Sequence, residues 1–141
     1  MKPLKSMLAG IALLFICAAA NAITKPTTGK LTRDEVVKIY IDATTSGNVS
    51  NLNNVLADDL QFDIQRGDNV HILDKDQLID YLKNNATSEP SVKTTTTVVQ
   101  EDDNSSVIKV VFKYDGYSRT DEVTLNKTSG WVITKVVSKF M

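Results

Sequence analysis

The sequence predicts an α+β domain, and three observations carry that prediction. Helical spacing of apolar residues is confined to the first half of the chain, where two capping boxes mark helix starts. From Ser91 onward only strand-type alternation remains. Asp115-Gly116, set between Tyr114 and Tyr117, is a two-residue hairpin signal, and a type I′ turn with positive φ at both central residues is expected there.

The elements follow in order. "ITKPTTGK", residues 23–30, is polar with Pro and Gly and reads as a flexible lead-in to a single domain over residues 31–141. Thr32 and Glu35 form a capping box, with Leu31 and Val36 at staple spacing. Val36, Tyr40 and Ala43 then share one helical face, with Val37, Ile41 and Thr44 beside it, up to Gly47. Leu52, Val55 and Leu56 predict a short second helix from near Ser50, and Asp58-Asp59 would end it and open a strand. Leu60, Phe62 and Ile64 alternate with polar residues, as does Val70-His71-Ile72 beyond Gly67-Asp68, which predicts a β-hairpin. Asp74 and Gln77 form the second capping box, and Leu78, Tyr81 and Leu82 give that helix its apolar face. The β-branched residues 94–99, the alternating Ile108, Val110, Phe112 and Tyr114, the pair Val123 and Leu125, and residues 131–137 predict a four-strand meander.

The first 22 residues have the three parts of an export leader: Lys2 and Lys5, an apolar core over residues 7–16, and Ala20-Asn21-Ala22 as a cleavage site. The expectation is an exported protein, periplasmic or secreted, that begins at Ile23. The apolar core falls short of the roughly twenty residues that span a bilayer, so no stable membrane anchor is expected. Cys17, the only cysteine, lies in the leader behind the bulky Leu14-Phe15-Ile16, which disfavours lipidation and leaves the mature chain without a thiol or disulfide. The net charge is −1 and no basic stripe is visible, which argues against nucleic acid as a partner. Asn48, Asn85, Asn104 and Asn126 begin N-x-S/T triplets, common by chance in an Asn- and Thr-rich chain; the thiol-free mature sequence favours a bacterial source.

The stretch "YIDATTSGNVSNLNNVLADDLQF", residues 40–62, and "SGWVITKV", residues 129–136, resemble the nuclear transport factor 2 (NTF2) superfamily. Its bacterial members include SnoaL-like cyclases, ketosteroid isomerases, scytalone dehydratases and exported lumazine-binding-like proteins. The resemblance implies a cone-shaped, cystatin-like fold in which a strongly curved antiparallel sheet wraps around a long N-terminal helix, with an apolar pocket in the mouth. Asn48 departs from the aspartate usual in that segment but can still cap.

By resemblance, Tyr40 stands where ketosteroid isomerases place an oxyanion-donating tyrosine, although the same residue suits the core. The general-base position falls on Ile64, which takes no proton. Asp63 alternates away from Phe62 and Ile64, Glu122 alternates against Val123 and Leu125, and the single His71 has no partner in sequence. No metal-ligand cluster or loop spacing occurs; "EDDN" lacks the calcium pattern. The reading is therefore a non-catalytic domain, without cofactor or metal, that binds a small, mostly apolar ligand or a protein partner. Tyr40, Phe62, Ile64, Phe112, Tyr114 and Tyr117 are the expected ligand-binding residues. The rival is a cofactor-free isomerase, cyclase or dehydratase working through Tyr40 with Asp63 or His71. A homodimer is expected through the convex face of the meander, around Val107, Val111 and residues 94–97.

Overall fold

The computed structural model describes residues 30–85 and 92–141. The leader and nearly all of the lead-in lie outside the described residues. Helix α1 (Arg33–Ser46) starts as the capping box dictates. The Thr32 hydroxyl accepts from the Glu35 N–H at 3.1 Å, and the Glu35 carboxylate accepts from the Thr32 N–H at 2.8 Å, so two orphan donors are satisfied reciprocally. It stops at Gly47, whose φ of 78° is left-handed and whose N–H returns to the Ala43 carbonyl. Val36, Val37, Tyr40, Ala43 and Thr44 form its buried face.

The expected second helix is only a 3₁₀ turn, Leu52–Asn54. The segment has too few residues to nucleate an α-helix, and Leu52 and Val55 are buried without one. Strand β1 (Leu56–Arg66) begins at once, so Asp58 and Asp59 are strand residues and not a helix end. Gly67, at φ 64°, turns the chain into β2 (Asn69–Leu73). The second capping box then opens α2 (Lys75–Asn85), with Asp74 and Gln77 exchanging bonds of 2.9 Å and Leu78 and Leu82 buried.

The meander is β3 (Lys93–Glu101), β4 (Ser105–Tyr114), β5 (Tyr117–Lys127) and β6 (Trp131–Phe140). The β4–β5 connection is two residues long, but only Gly116 has positive φ, at 96°. Asp115 keeps a negative φ, so the expected type I′ turn is not formed; these signs are those of a type II turn.

The six strands of the described residues form one sheet in the order β2-β1-β6-β5-β4-β3. Every neighbouring pair is antiparallel except β1 and β6, which run parallel and join the hairpin to the meander. Register aligns Phe62, Val136, Val123 and Ile108 in one row across four strands, and all four are buried. Bulges in β1, β3 and β6 bend the sheet about that row. On the outer face Val107 and Val111 are half-buried between exposed Lys109 and Lys113, whereas β3 is exposed at all nine residues.

Candidate functional site

The inner face of β5 reads Arg119, Asp121, Val123, Leu125, all buried, because strand alternation sends every second residue under α1. Two of those four carry charge. Asp121 is 0% exposed and Arg119 5%. Burial of this kind is tolerated only when the charges are paired and hydrogen-bonded. Arg119 grips the carboxylate in a fork, Nε to Oδ1 at 2.9 Å and Nη2 to Oδ2 at 2.8 Å. From α1 the Tyr40 hydroxyl donates to the Asp121 Oδ2 at 2.5 Å and accepts from the Arg119 Nη2 at 3.1 Å. The triangle is closed, and each carboxylate oxygen is occupied.

The sheet register explains the rest of the setting. Arg119 lies directly between Phe112 of β4 and Phe140 of β6, and their ring centroids stand 5.3 and 5.7 Å from its guanidinium carbon. Burial opposes the guanidinium charge, but Asp121 and Tyr40 outweigh it and hold the proton above the usual arginine range. Burial, and then the Asp121 charge, pushes the Tyr40 hydroxyl well above the usual tyrosine range. Ser138, opposite Asp121 on β6, is fully buried, and its hydroxyl has no partner among the described residues.

Arg119 also forms one wall of a cavity of about 150 Å³. Thr44, Tyr81, Leu82 and Asn85 line it from the helices, and Arg66, Tyr114, Tyr117 and Phe140 from the sheet. Among the described residues Nη1 of Arg119 makes no hydrogen bond, so its two N–H donors are unclaimed on this wall. The aromatic wall is a stack: Tyr114 and Tyr117 lie 4.7 Å apart and 11° from parallel, Phe140 is 6.4 Å beyond Tyr117, and the Arg66 guanidinium sits 4.5 Å over Phe140. Arg66, Tyr117 and Phe140 also border a shallower outer depression with Gly67 and Met141.

A protein-family model described as "Putative lumazine-binding" matches residues 31–140. The chain belongs to this family. Solved structures place the family fold among NTF2-like proteins. A protein of unknown function from Silicibacter pomeroyi superimposes with a TM-score of 0.67 at 17% identity, covering 77% of this chain and 92% of that one. An NTF2-like protein of unknown function from Methylobacillus flagellatus gives 0.64 at 19%, covering 82% and 99%. A cystatin-like fold protein from Burkholderia xenovorans gives 0.60 at 12%, covering 77% and 88%. No curated relative matches.

In this member of the family the expected site residues fall into two sets. Tyr114 and Tyr117 line the cavity. Tyr40, Phe62, Ile64 and Phe112 are buried in the core behind it; Phe62 backs Tyr81 at 6.5 Å and Phe112 backs Tyr114 at 6.5 Å. The other acid-base candidates lie elsewhere. Asp63 accepts from the Gln61 amide, His71 is exposed on β2, and Glu122 is exposed opposite Lys109 on the outer face. Asp102 of "EDDN" accepts from the Asn104 and Ser105 backbone N–H groups, which lower its pKa while they close the β3–β4 turn.

Arg119 and Asp121 were not among the candidates, yet a signal for them was present. The alternation that sends Glu122 outward sends both of them inward with Val123 and Leu125. Thr44, Tyr81, Asn85 and Phe140 carry no comparable mark, since their convergence depends on how both helices pack against the sheet.

Proposed function

We propose that this family member is an exported, non-catalytic domain that binds a small planar ring bearing a carbonyl or carboxylate oxygen. The observation that carries the reading is the unclaimed Arg119 Nη1 beside the Tyr114, Tyr117 and Phe140 stack. Stacked rings supply flat apolar area, and a fixed cationic donor orients one acceptor atom, which is the usual division of labour in ligand pockets. A cavity near 150 Å³ is large enough for one aromatic ring, and the outer depression can take the remainder of a larger one. Lumazine, named in the family description, is a fused planar ring with carbonyl oxygens and fits that chemistry. Export is supported by the leader-like residues 1–22.

Acid-base chemistry is not part of this reading. The Asp121 oxygens are committed to Arg119 and Tyr40, and Asp63 and His71 do not line the cavity. General-base catalysis needs a free acceptor within reach of the substrate.

Isothermal titration of lumazine and of a single-ring carboxylate such as benzoate into the purified protein tests the reading. At least one binds, without turnover, and Tyr117→Ala weakens binding about tenfold through lost stacking. Absence of binding by both, together with no ligand co-purifying in native mass spectrometry from the host, refutes it. Amino-terminal sequencing of that same material reads Ile-Thr-Lys-Pro if export and cleavage occur as proposed; an intact Met1 end overturns the export claim.

A further inference from the structure

Strand β3 stands at one edge of the sheet, bonded to β4 on one side only, and it is exposed along its whole length on both faces. An edge strand offers a row of free N–H and C=O groups to any other strand, and proteins that remain monomeric usually blunt such edges by shortness, charge, proline or a covering element. The opposite edge follows that practice: β2 has five residues and packs beside α2. Among the described residues nothing comparable protects β3. Its interior, "TTTTVVQ", has seven uncharged residues and no proline, and Val98 and Val99 are 45% and 53% exposed. The single irregularity is the bulge at Val99, near the end of the strand.

The charges of β3 lie only at its two ends, Lys93 first and Glu101 last. We propose that β3 is an association edge at which a second copy of this chain adds its own β3, antiparallel, about a two-fold axis at Thr97. In that register Lys93 of each copy meets Glu101 of the other, Thr95 meets Val99, Thr96 meets Val98, and Thr97 meets itself. Threonine and β-branched cross-strand pairs stabilise sheets, and the terminal opposite charges fix direction and register. A parallel in-register pairing would instead set Lys93 against Lys93 and Glu101 against Glu101. Glu101 also binds Arg33 at 2.6 Å, but its side chain is 55% exposed and retains acceptor capacity for a second cation. The result is one continuous twelve-strand sheet with the two cavities outside the junction, since no β3 residue lines either depression. This surface is the strand edge, distinct from the convex face on which the sequence suggested a dimer.

Sedimentation velocity of the purified protein across a concentration series tests the proposal. A reversible dimer is expected. Thr97→Lys places two like charges side by side on the axis and raises the dissociation constant about tenfold or more. Lys93→Glu weakens association, and the charge-swapped Lys93→Glu/Glu101→Lys protein recovers it. In a Cys17→Ser background, Thr97→Cys forms a disulfide-linked dimer on mild oxidation, whereas Thr94→Cys does not. Circular dichroism establishes that each variant folds, and these exposed sites tolerate substitution. A monomer at every concentration overturns the proposal. So does a dimer indifferent to Thr97→Lys, one not recovered by the charge swap, or one broken only by Val111→Lys, which would move the interface to the convex face.

Discussion

Replacing Asp121 by alanine should cost this domain a large part of its stability. The substitution leaves the Arg119 guanidinium in place with 6% of its side chain exposed and no counter-charge, and it removes the acceptor of the Tyr40 hydroxyl. Breaking one partner out of a buried pair costs about 3–5 kcal/mol. The stranded tyrosine donor adds roughly 1–3 kcal/mol, partly relieved if water follows Arg119 in from the cavity. A loss of about 4–6 kcal/mol stands against a total of about 5–15 kcal/mol for a domain of ordinary stability. With a urea slope of about 2 kcal/mol/M, the middle of the range for small proteins, the unfolding midpoint should fall by about 2–3 M or the protein should fail to fold. The matching control removes the whole triangle: Tyr40→Phe/Asp121→Leu/Arg119→Met leaves no orphaned charge and should recover most of the loss, because apolar replacement of a buried ion pair is often neutral. Both proteins are compared by urea unfolding followed through Trp131 fluorescence. An Asp121→Ala midpoint within about 0.5 M of wild type would refute the reasoning, since it would mean that Arg119 is solvated and needs no partner.

Tyr40→Phe should lower stability by about 1–2 kcal/mol while leaving ligand affinity within about twofold, because its hydroxyl is spent on Asp121 and Arg119 and does not line the cavity; titration and urea unfolding on the same preparation separate the two effects. Arg66→Gln should weaken an anionic ring ligand more than a neutral one, read as the ratio of their titration affinities, since it removes a cation at the mouth. The raised Tyr40 pKa predicts alkaline lability: the folded state holds this proton more tightly than the unfolded chain, so its contribution is intact below about pH 10 and lost as pH rises toward the folded value. Urea midpoints measured from pH 8 to 11 should fall at the alkaline end, and by less in Tyr40→Phe. Gly47→Ala forces a side chain into a left-handed φ of 78° and should cost about 1 kcal/mol in the same assay.

Local rules written in the sequence were enough for both helix starts and for every strand of the meander, because capping boxes and period-2 alternation are properties of a few consecutive residues. They failed at residues 50–59, where the apolar spacing of Leu52, Val55 and Leu56 is equally compatible with one 3₁₀ turn followed by a strand. What decided it there was a distant contact: Ile133 of β6 donates its backbone N–H to Val55 and faces Leu56. The site was legible by halves. Tyr114 and Tyr117 are flanked by a turn that fixes their pairing, so their shared face followed from sequence. Arg119 and Asp121 were equally available from alternation but looked like surface residues, since charge alone suggests solvent. Only the meeting of Tyr40 with both across the core reveals why they are inside.

The parallel contact between β1 and β6 gives the chain an order of assembly. The β1–β2 hairpin and the β3–β5 ribbon are each made of near neighbours in sequence, yet within the sheet nothing joins them until the final strand takes its place between β1 and β5. Before that, Phe62 and Val123 have no Val136 between them and Arg119 lacks Phe140. The most distant pairing in the sequence is thus also the one that completes the core, which slows folding on topological grounds. A nascent copy lacking its last ten or so residues would expose two unfinished half-sheets, whose open strand edges and uncovered apolar faces invite association with other chains.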